Sequence, residues 1–223
     1  MLKIKATDIG TLESASDLIY KALREAIVQG EMNDGDLLRQ DQIATLFNVS
    51  RIPVREALAR LEEHGLVTNQ RYRGAVVSSL SLDEISETFE FRALVEAEVI
   101  RLSVQNITQS TLALAERYNN EFATEPDPAN WARLNRLFHY TLYSDSRRPY
   151  HLQIVSSALD KVGRYLQAQL VLTDGMVRAR REHGEILAAC LDRDAERAAA
   201  LTRDHILGAS RSLIEFLKAE RGL

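Results

Sequence analysis

The chain has 223 residues, with 28 Lys and Arg against 32 Asp and Glu, a formal net charge of −4 and 45% hydrophobic residues. That length holds one large domain or two modest ones, and the composition supplies a packed core at an ordinary charge density. A single cysteine, Cys190, excludes an internal disulfide, and no run approaches the roughly 20 apolar residues that span a bilayer. No apolar signal region follows the first residues, so a reducing, cytoplasmic setting is expected.

Residues 1–11 are expected to be loosely ordered. Ser16 is placed to cap a helix reaching about Gln29, with Leu18, Ile19, Ala22, Leu23, Ala26 and Ile27 as its apolar stripe. Gly30 stops it, and Asn33-Asp34-Gly35-Asp36 reads as a turn. Gln40 to Phe47 supplies a short helix. The stretch Asn48 to Leu66, NVSRIPVREALARLEEHGL, then reads as a turn followed by a second helix. Ser50 is placed to cap it by accepting from free first-turn N–H groups, and Pro53 sits where no intrahelical donor is lost. Val54, Leu58 and Leu61 recur at helical spacing and should face inward. Arg51 and Arg55, four residues apart, project from a similar face. Gly65 supplies the left-handed residue of a C-terminal cap.

Leu66-Val67-Thr68 and Ala75-Val76-Val77 read as two short strands around a basic hairpin tip, Asn69 to Gly74. Helix, turn, helix and hairpin make a winged helix-turn-helix. An exposed helix with two guanidinium forks near its N-terminus suits a DNA major groove. The bland alternative is a surface helix whose arginines pair with Glu56, Glu62 and Glu63. The overall negative charge averages over the whole chain: Arg51 to Arg73 carries five arginines against three glutamates, two of the arginines being Arg71 and Arg73 at the tip.

Ser78 to Ser81 is a short linker, and Ser81-Leu82-Asp83-Glu84 is a capping box. Six helices are expected beyond it, with no strand. The first reaches about Asn106 and carries Ile85, Phe89, Ala93, Ala97, Ile100 and Val104. The second starts near Thr108 with Leu112, Ala115, Tyr118 and Phe122, and ends at Glu125-Pro126-Asp127-Pro128. The others span about Ala129–Ser144, Pro149–Leu172, Asp174–Leu191 and Asp194–Ala219. The expected fold is mainly α, a winged helix-turn-helix over residues 1–78 and an all-α antiparallel bundle over 79–223.

Three of the bundle helices each place a histidine at or near an apolar face. On the third, Trp131, Leu134, Phe138 and Leu142 mark the buried side, with Asn135 and His139 one turn apart at its edge. His183 falls on a stripe with Ile186, Leu187 and Cys190, and His205 on one with Leu201, Ala209 and Phe216. Imidazole is the commonest metal ligand, so either a shared polar pocket or three separately satisfied core histidines fits this pattern. Cys190 reads as a buried structural thiol, and His64 and His151 as helix-end residues. Arg178, Arg180 and Arg181 are expected to be mostly solvated, with the alternative that one of them reaches the pocket mouth. Arg92 has two readings, a fork for a ligand carboxylate or an ion pair with Glu96 one turn on.

The N-terminal segment resembles the DNA-binding domain of the GntR family of bacterial transcription regulators. The likeness runs from about Leu12 to Val77 and rests on Ile43-Ala44, on Val49-Ser50-Arg51 with Pro53-Val54-Arg55-Glu56-Ala57-Leu58, on Arg60-Leu61-Glu62, on Gly65-Leu66-Val67 and on Gly74. Asn48 departs from the usual glycine, Ile52 from a threonine that often touches DNA, and Asp41 from the DNA-contacting arginine of the fatty-acid-responsive member. The resemblance implies Ser50, Arg51, Ile52, Arg55, Arg71, Arg73 and Gly74 as DNA-facing residues, with Arg55 on a guanine edge, Arg51 on phosphate and the wing near the minor groove.

Phe89 to Glu96, Phe138-His139, Glu182-His183 with Ile186-Leu187-Ala188-Ala189, and Arg203-Asp204-His205 resemble the FCD effector domain of the FadR-type subfamily, in its six-helix VanR-like branch. Metal-binding members hold a divalent ion, often zinc, nickel or manganese, on an aspartate and three histidines. Carried over, the ligands are Asn135, His139, His183 and His205, with an uncharged amide where aspartate is usual. The resemblance thus implies a homodimeric, ligand-responsive regulator, a repressor, on palindromic operator DNA. Its effector would be a short organic acid beside the metal, bound with help from Arg92. The alternatives are a metal-dependent enzyme using the histidine pocket and a constitutive scaffold in which the histidines only fill space.

Overall fold

The computed structural model describes residues 13–71 and 73–221. The expected loose segment at residues 1–11 lies outside them. Two compact units divide the described residues: those up to Ile27 with Glu31–Ser79, and Val28–Gly30 with those from Leu80 onward.

In the first unit, α1 spans Ala15–Val28, α2 Gln40–Leu46 and α3 Arg51–Glu63, with strands β1 Leu37–Leu38, β2 Val67–Gln70 and β3 Gly74–Val77. The cap of α1 is Ser14 and not Ser16: Ser14 Oγ accepts from the Asp17 N–H at 3.1 Å. The strands form one antiparallel sheet in the order β1-β3-β2, with Thr68 opposite Val76 and Gln70 opposite Gly74. β1 was not expected, since two residues are too few to show alternation. Ile19, Ile27, Val54, Ala57, Leu61 and Val67 are buried in one core. The inward stripe of α3 is therefore the one its periodicity gives.

Two turns in this unit share one physical cause. Val49 N–H donates to Ala44 O and Asn48 N–H to Thr45 O, which closes α2 around a left-handed Asn48 at φ +51°. Leu66 N–H donates to Leu61 O and Gly65 N–H to Glu62 O, which closes α3 around Gly65 at φ +69°. Both are Schellman closures, which need a residue that tolerates positive φ. Asparagine does so at Asn48, where the resemblance expects glycine.

Ser50 stands at the N-cap of α3 in extended conformation, but its side chain makes no cap bond. The reason is in the sequence. A cap oxygen accepts from the second or third helical N–H, and the third residue here is Pro53, which has none.

The second unit holds α4 Leu82–Val104, α5 Gln109–Thr124, α6 Trp131–Tyr143, α7 Pro149–Leu172, α8 Gly175–Leu191 and α9 Ala195–Arg221. Short 3-10 turns at Pro128–Asn130 and Ser144–Ser146 flank α6. The capping box is formed: Ser81 Oγ accepts from Glu84 N–H, and Ser81 N–H donates back to Glu84 Oε2 at 2.9 Å. α4 packs chiefly along α9, α5 along α6, and α8 along both α5 and α9. Val99, Ile100, Leu112, Phe138, Leu142 and Ile186 meet in the main core. Ala97, Tyr118 and Trp131 are only half-buried. Trp131 keeps its indole N–H on Glu125 O at 3.0 Å, at the edge of the bundle.

The two serines give a paired prediction. Ser81→Ala should lower stability by about 1 kcal/mol, because it removes a formed cap. Ser50→Ala should leave the thermal midpoint unchanged, because no cap bond is lost. Calorimetry of the two variants beside the parent chain checks both.

Candidate nucleic-acid interface and candidate metal centre

Burial of Val54, Ala57, Leu58 and Leu61 turns the opposite face of α3 to solvent. Arg51, Ile52 and Arg55 lie on it, Ile52 with 67% of its surface exposed. Arg51 pairs with Asp41 from α2. The expected acidic partners of α3 do otherwise: Glu62 accepts from Asn69 N–H at 3.2 Å and thereby ties α3 to the wing. Arg55 has no ion pair among the described residues and borders a concavity with Gln40, Glu62 and Asn69. Arg60, further along, pairs with Asp17 at 2.7 Å and lies over the Tyr20 ring at 4.2 Å, so it belongs to the scaffold.

The wing exposes Arg71 and Arg73 on either side of the β2–β3 tip. Gly74 begins β3 at φ +87°, a conformation that L side chains rarely adopt. Ser50, free of a cap bond, adds an exposed hydroxyl at the start of α3. All seven residues expected to face DNA are exposed, on α3, its N-cap and the wing.

In the second unit three helices converge. His139 on α6, His183 on α8 and His205 on α9 are buried, and one ligand atom from each lies within 4.8 Å of the others. The His139 and His183 ring centroids are 4.9 Å apart and both stand about 5.0 Å from His205. His183 is stacked on Phe138 at 4.4 Å and tilted against Phe122 at 4.8 Å. Burial holds the His139 and His183 imidazoles well below the ordinary 6.5, with the neighbouring histidines adding to it. Both rings are therefore neutral, as a metal ligand must be. The same burial pushes the Cys190 thiol up to about 12, which makes it inert.

Each ring is held differently. His205 Nδ1 lies 2.7 Å from Glu182 Oε2, which makes Nδ1 the donor and leaves Nε2 bare. His139 Nδ1 is 3.4 Å from the Tyr143 hydroxyl. That hydroxyl in turn donates to Glu96 Oε2 at 2.9 Å, and burial beside Glu96 holds its pKa well above the usual value. Among the described residues His183 has no hydrogen bond at either ring nitrogen, although it is fully buried. Orphaned buried nitrogens of this kind call for a missing partner. Asn135, 4% exposed and one turn before His139, makes no side-chain hydrogen bond among the described residues. Three buried imidazoles with ligand atoms this close, one without a hydrogen bond at either ring nitrogen among the described residues, fit a divalent ion.

Arg92 and Glu96, both on α4, form a buried pair, with Arg92 Nε donating to Glu96 Oε1 at 2.7 Å. Of the two readings of Arg92, the ion pair is therefore present. Yet its Nη1 is buried with no acceptor, so half of the fork remains open. Sequence reasoning missed Tyr143 and Glu182 as supports of the histidines. It also placed Arg178 in solvent, whereas Arg178 is half-buried and donates to Gly208 O at 2.7 Å.

The titration of this cluster gives a prediction for metal-stripped protein. The folded values of His139 and His183 are depressed below 6.5, so below that pH the unfolded chain binds protons that the folded one does not. Stability should be flat from about pH 7 to 8 and fall as pH drops from about 6.5 to 5, by about 1.4 kcal/mol per unit for each histidine. His183→Asn should remove roughly half of that slope in a series of thermal melts.

The two units define a DNA-binding transcriptional regulator, with a winged helix-turn-helix joined to an all-α domain. Residues 15–77 match the bacterial regulatory proteins of the gntR family, and residues 87–208 match the FCD domain. The chain belongs to the GntR family, in its branch with an FCD domain. It is similar to the HTH-type transcriptional regulator BphR of Paraburkholderia xenovorans strain LB400, 29% identical over 89% of this chain and 84% of that protein. The HTH-type transcriptional repressor RspR of Escherichia coli K12 is 27% identical over 93% and 92%. Among solved structures, E. coli McbR/YncC superposes with a TM-score of 0.83 at 20% identity, over 92% of this chain and 100% of that one, a likeness of fold. These relatives are regulators, and the chain is not an enzyme. No helix among the described residues is long and apolar enough to cross a membrane.

Proposed function

We propose that the chain is a cytoplasmic, homodimeric repressor whose FCD domain binds a small organic acid beside a divalent metal ion. Residues 1–78 serve as the DNA-binding domain and 79–223 as the effector and dimerisation domain. A two-fold dimer presents two α3 helices to a palindromic operator. Arg55, without an ion pair of its own, reads a guanine edge. Arg51 grips phosphate, Ser50 and Ile52 line the groove, and Arg71 or Arg73 approaches the minor groove where Gly74 lets the wing come close. The repressor named among its relatives favours repression over activation.

In the second unit His139, His183 and His205, with Asn135 as a fourth donor, would hold the ion, whether zinc, nickel or manganese. When bound, the metal supplies a Lewis-acidic position for a ligand carboxylate. The residues around it do the rest. Glu182 fixes the tautomer of His205, Tyr143 orients His139, and the open Nη1 of Arg92 offers a second carboxylate contact. Short acids and sugar acids suit such a polar centre better than long acyl chains. The observation that carries the reading is His183, fully buried with both ring nitrogens unpartnered, facing two further histidines.

A ligand switches the protein only if it prefers one arrangement of the DNA-binding domains. The test is operator affinity by fluorescence anisotropy with and without a saturating panel of hydroxy- and sugar acids, at a fixed zinc concentration. A shift with one acid, lost in Arg92→Ala, supports the reading. Unchanged affinity across the panel removes the effector role proposed for these acids.

A further inference from the structure

Asp41 is an acidic side chain set among cations on the surface that meets DNA. It sits in the first turn of α2, and it shares a concavity with Arg39, Arg51 and Arg73 in which it is the sole acid. Its carboxylate pairs with Arg51, the first residue of α3. Both side chains are about two-thirds exposed, at 67% for Asp41 and 68% for Arg51, so the pair lies open to whatever docks there. A pair so exposed adds little to the fold. It does, however, occupy the guanidinium best placed at the N-terminus of the recognition helix to meet a backbone phosphate.

We propose that Asp41 is an internal phosphate surrogate that sets the DNA affinity of this protein through Arg51. In the free protein the carboxylate takes the place of a phosphate on the Arg51 fork. When a duplex docks, a phosphate must displace it, and Asp41 is left facing a polyanion with its partner gone. The contact from Arg51 is thus partly cancelled in every complex. The cost falls on the sequence-independent phosphate term, which operator and unrelated DNA both carry. Asp41 is therefore an affinity-setting residue that weakens binding to any duplex. The inference rests on the winged helix being the DNA-binding unit, and not on the metal or the effector.

The experiment titrates full-length protein, Asp41→Asn, Arg51→Ala and the double variant against an operator duplex and a scrambled duplex, by anisotropy over a salt series. Asp41→Asn should tighten binding to both duplexes and steepen the dependence of log affinity on log salt by up to about 0.9 per protomer. Across a fourfold range of salt that slope amounts to roughly a 3.5-fold change per protomer. In the Arg51→Ala background the same substitution should gain much less, only the relief of repulsion between the carboxylate and the phosphates, since the surrogate acts mainly through that arginine. Three results overturn the proposal: an unchanged salt slope, an equal gain with and without Arg51, or a loss confined to the operator. The last would make Asp41 a reader of bases. Failure of all four proteins to bind either duplex would instead sink the assignment of the winged helix.

Discussion

Arg55→Ala should strongly weaken operator recognition while leaving the protein folded. Arg55 is exposed on the outer face of α3, between buried Val54 and Leu58, and no ion pair among the described residues holds it. Its removal takes nothing from the core, so the thermal midpoint should match that of the parent chain. A bidentate arginine–guanine contact discriminates by about 1–3 kcal/mol, and a two-fold dimer loses it twice. Operator affinity should therefore fall by roughly two orders of magnitude, and scrambled DNA should lose far less. Arg51→Ala should differ in kind, weakening both duplexes alike and flattening the salt dependence by less than the roughly 0.9 per protomer of a full phosphate contact, because Asp41 already cancels part of it. Anisotropy titrations at two salt concentrations separate the two. Equal losses on operator and scrambled DNA in Arg55→Ala would reassign that residue to phosphate.

The contrast between the two arginines shows where the sequence is informative. Their common face follows from a spacing of four residues, and the burial of Val54, Leu58 and Leu61 follows from the helical period. That Arg51 is engaged by Asp41, whereas Arg55 is not, depends on how α2 crosses α3, and no local pattern encodes it. The same division runs through the bundle. Each histidine is visible as a polar residue on an apolar stripe of its own helix, but their meeting at 4.8 Å is a property of packing between α6, α8 and α9. Arg92 and Glu96 interrupt the face of α4, and their spacing of one turn already offers the ion pair as one of two readings. What that spacing does not encode is that both are buried, neutralising each other with Tyr143 completing the network. Ser50 illustrates an error, a cap read from residue type alone when Pro53 had already removed the third donor.

The second large effect concerns the metal. Purified, untagged protein should carry about one zinc, nickel or manganese ion per chain by mass spectrometry with inductively coupled plasma, and His139→Ala and His183→Ala should each lose it. A ligand bound only by the native state at a hundred times its dissociation constant adds about 2.7 kcal/mol. For a chain of this size that raises the midpoint by roughly 5–10 °C. Chelation should lower the midpoint by the same amount, and His183→Ala should be insensitive to the chelator. That comparison holds even if the variant is less stable in itself, because His183 also packs against Phe122 and Phe138. Glu182→Gln should keep the fold and weaken the ion by 10- to 100-fold, since the amide no longer fixes His205 with Nε2 bare. Asn135→Asp should act in the opposite direction, because it adds a charged oxygen to an otherwise neutral donor set and so tightens divalent binding. If the parent chain takes up no metal after soaking and Asn135→Asp does, the uncharged amide has switched off an otherwise complete site. If neither takes up metal, the orphaned nitrogens of His183 are satisfied by water, and the pocket is one for an effector that needs no ion.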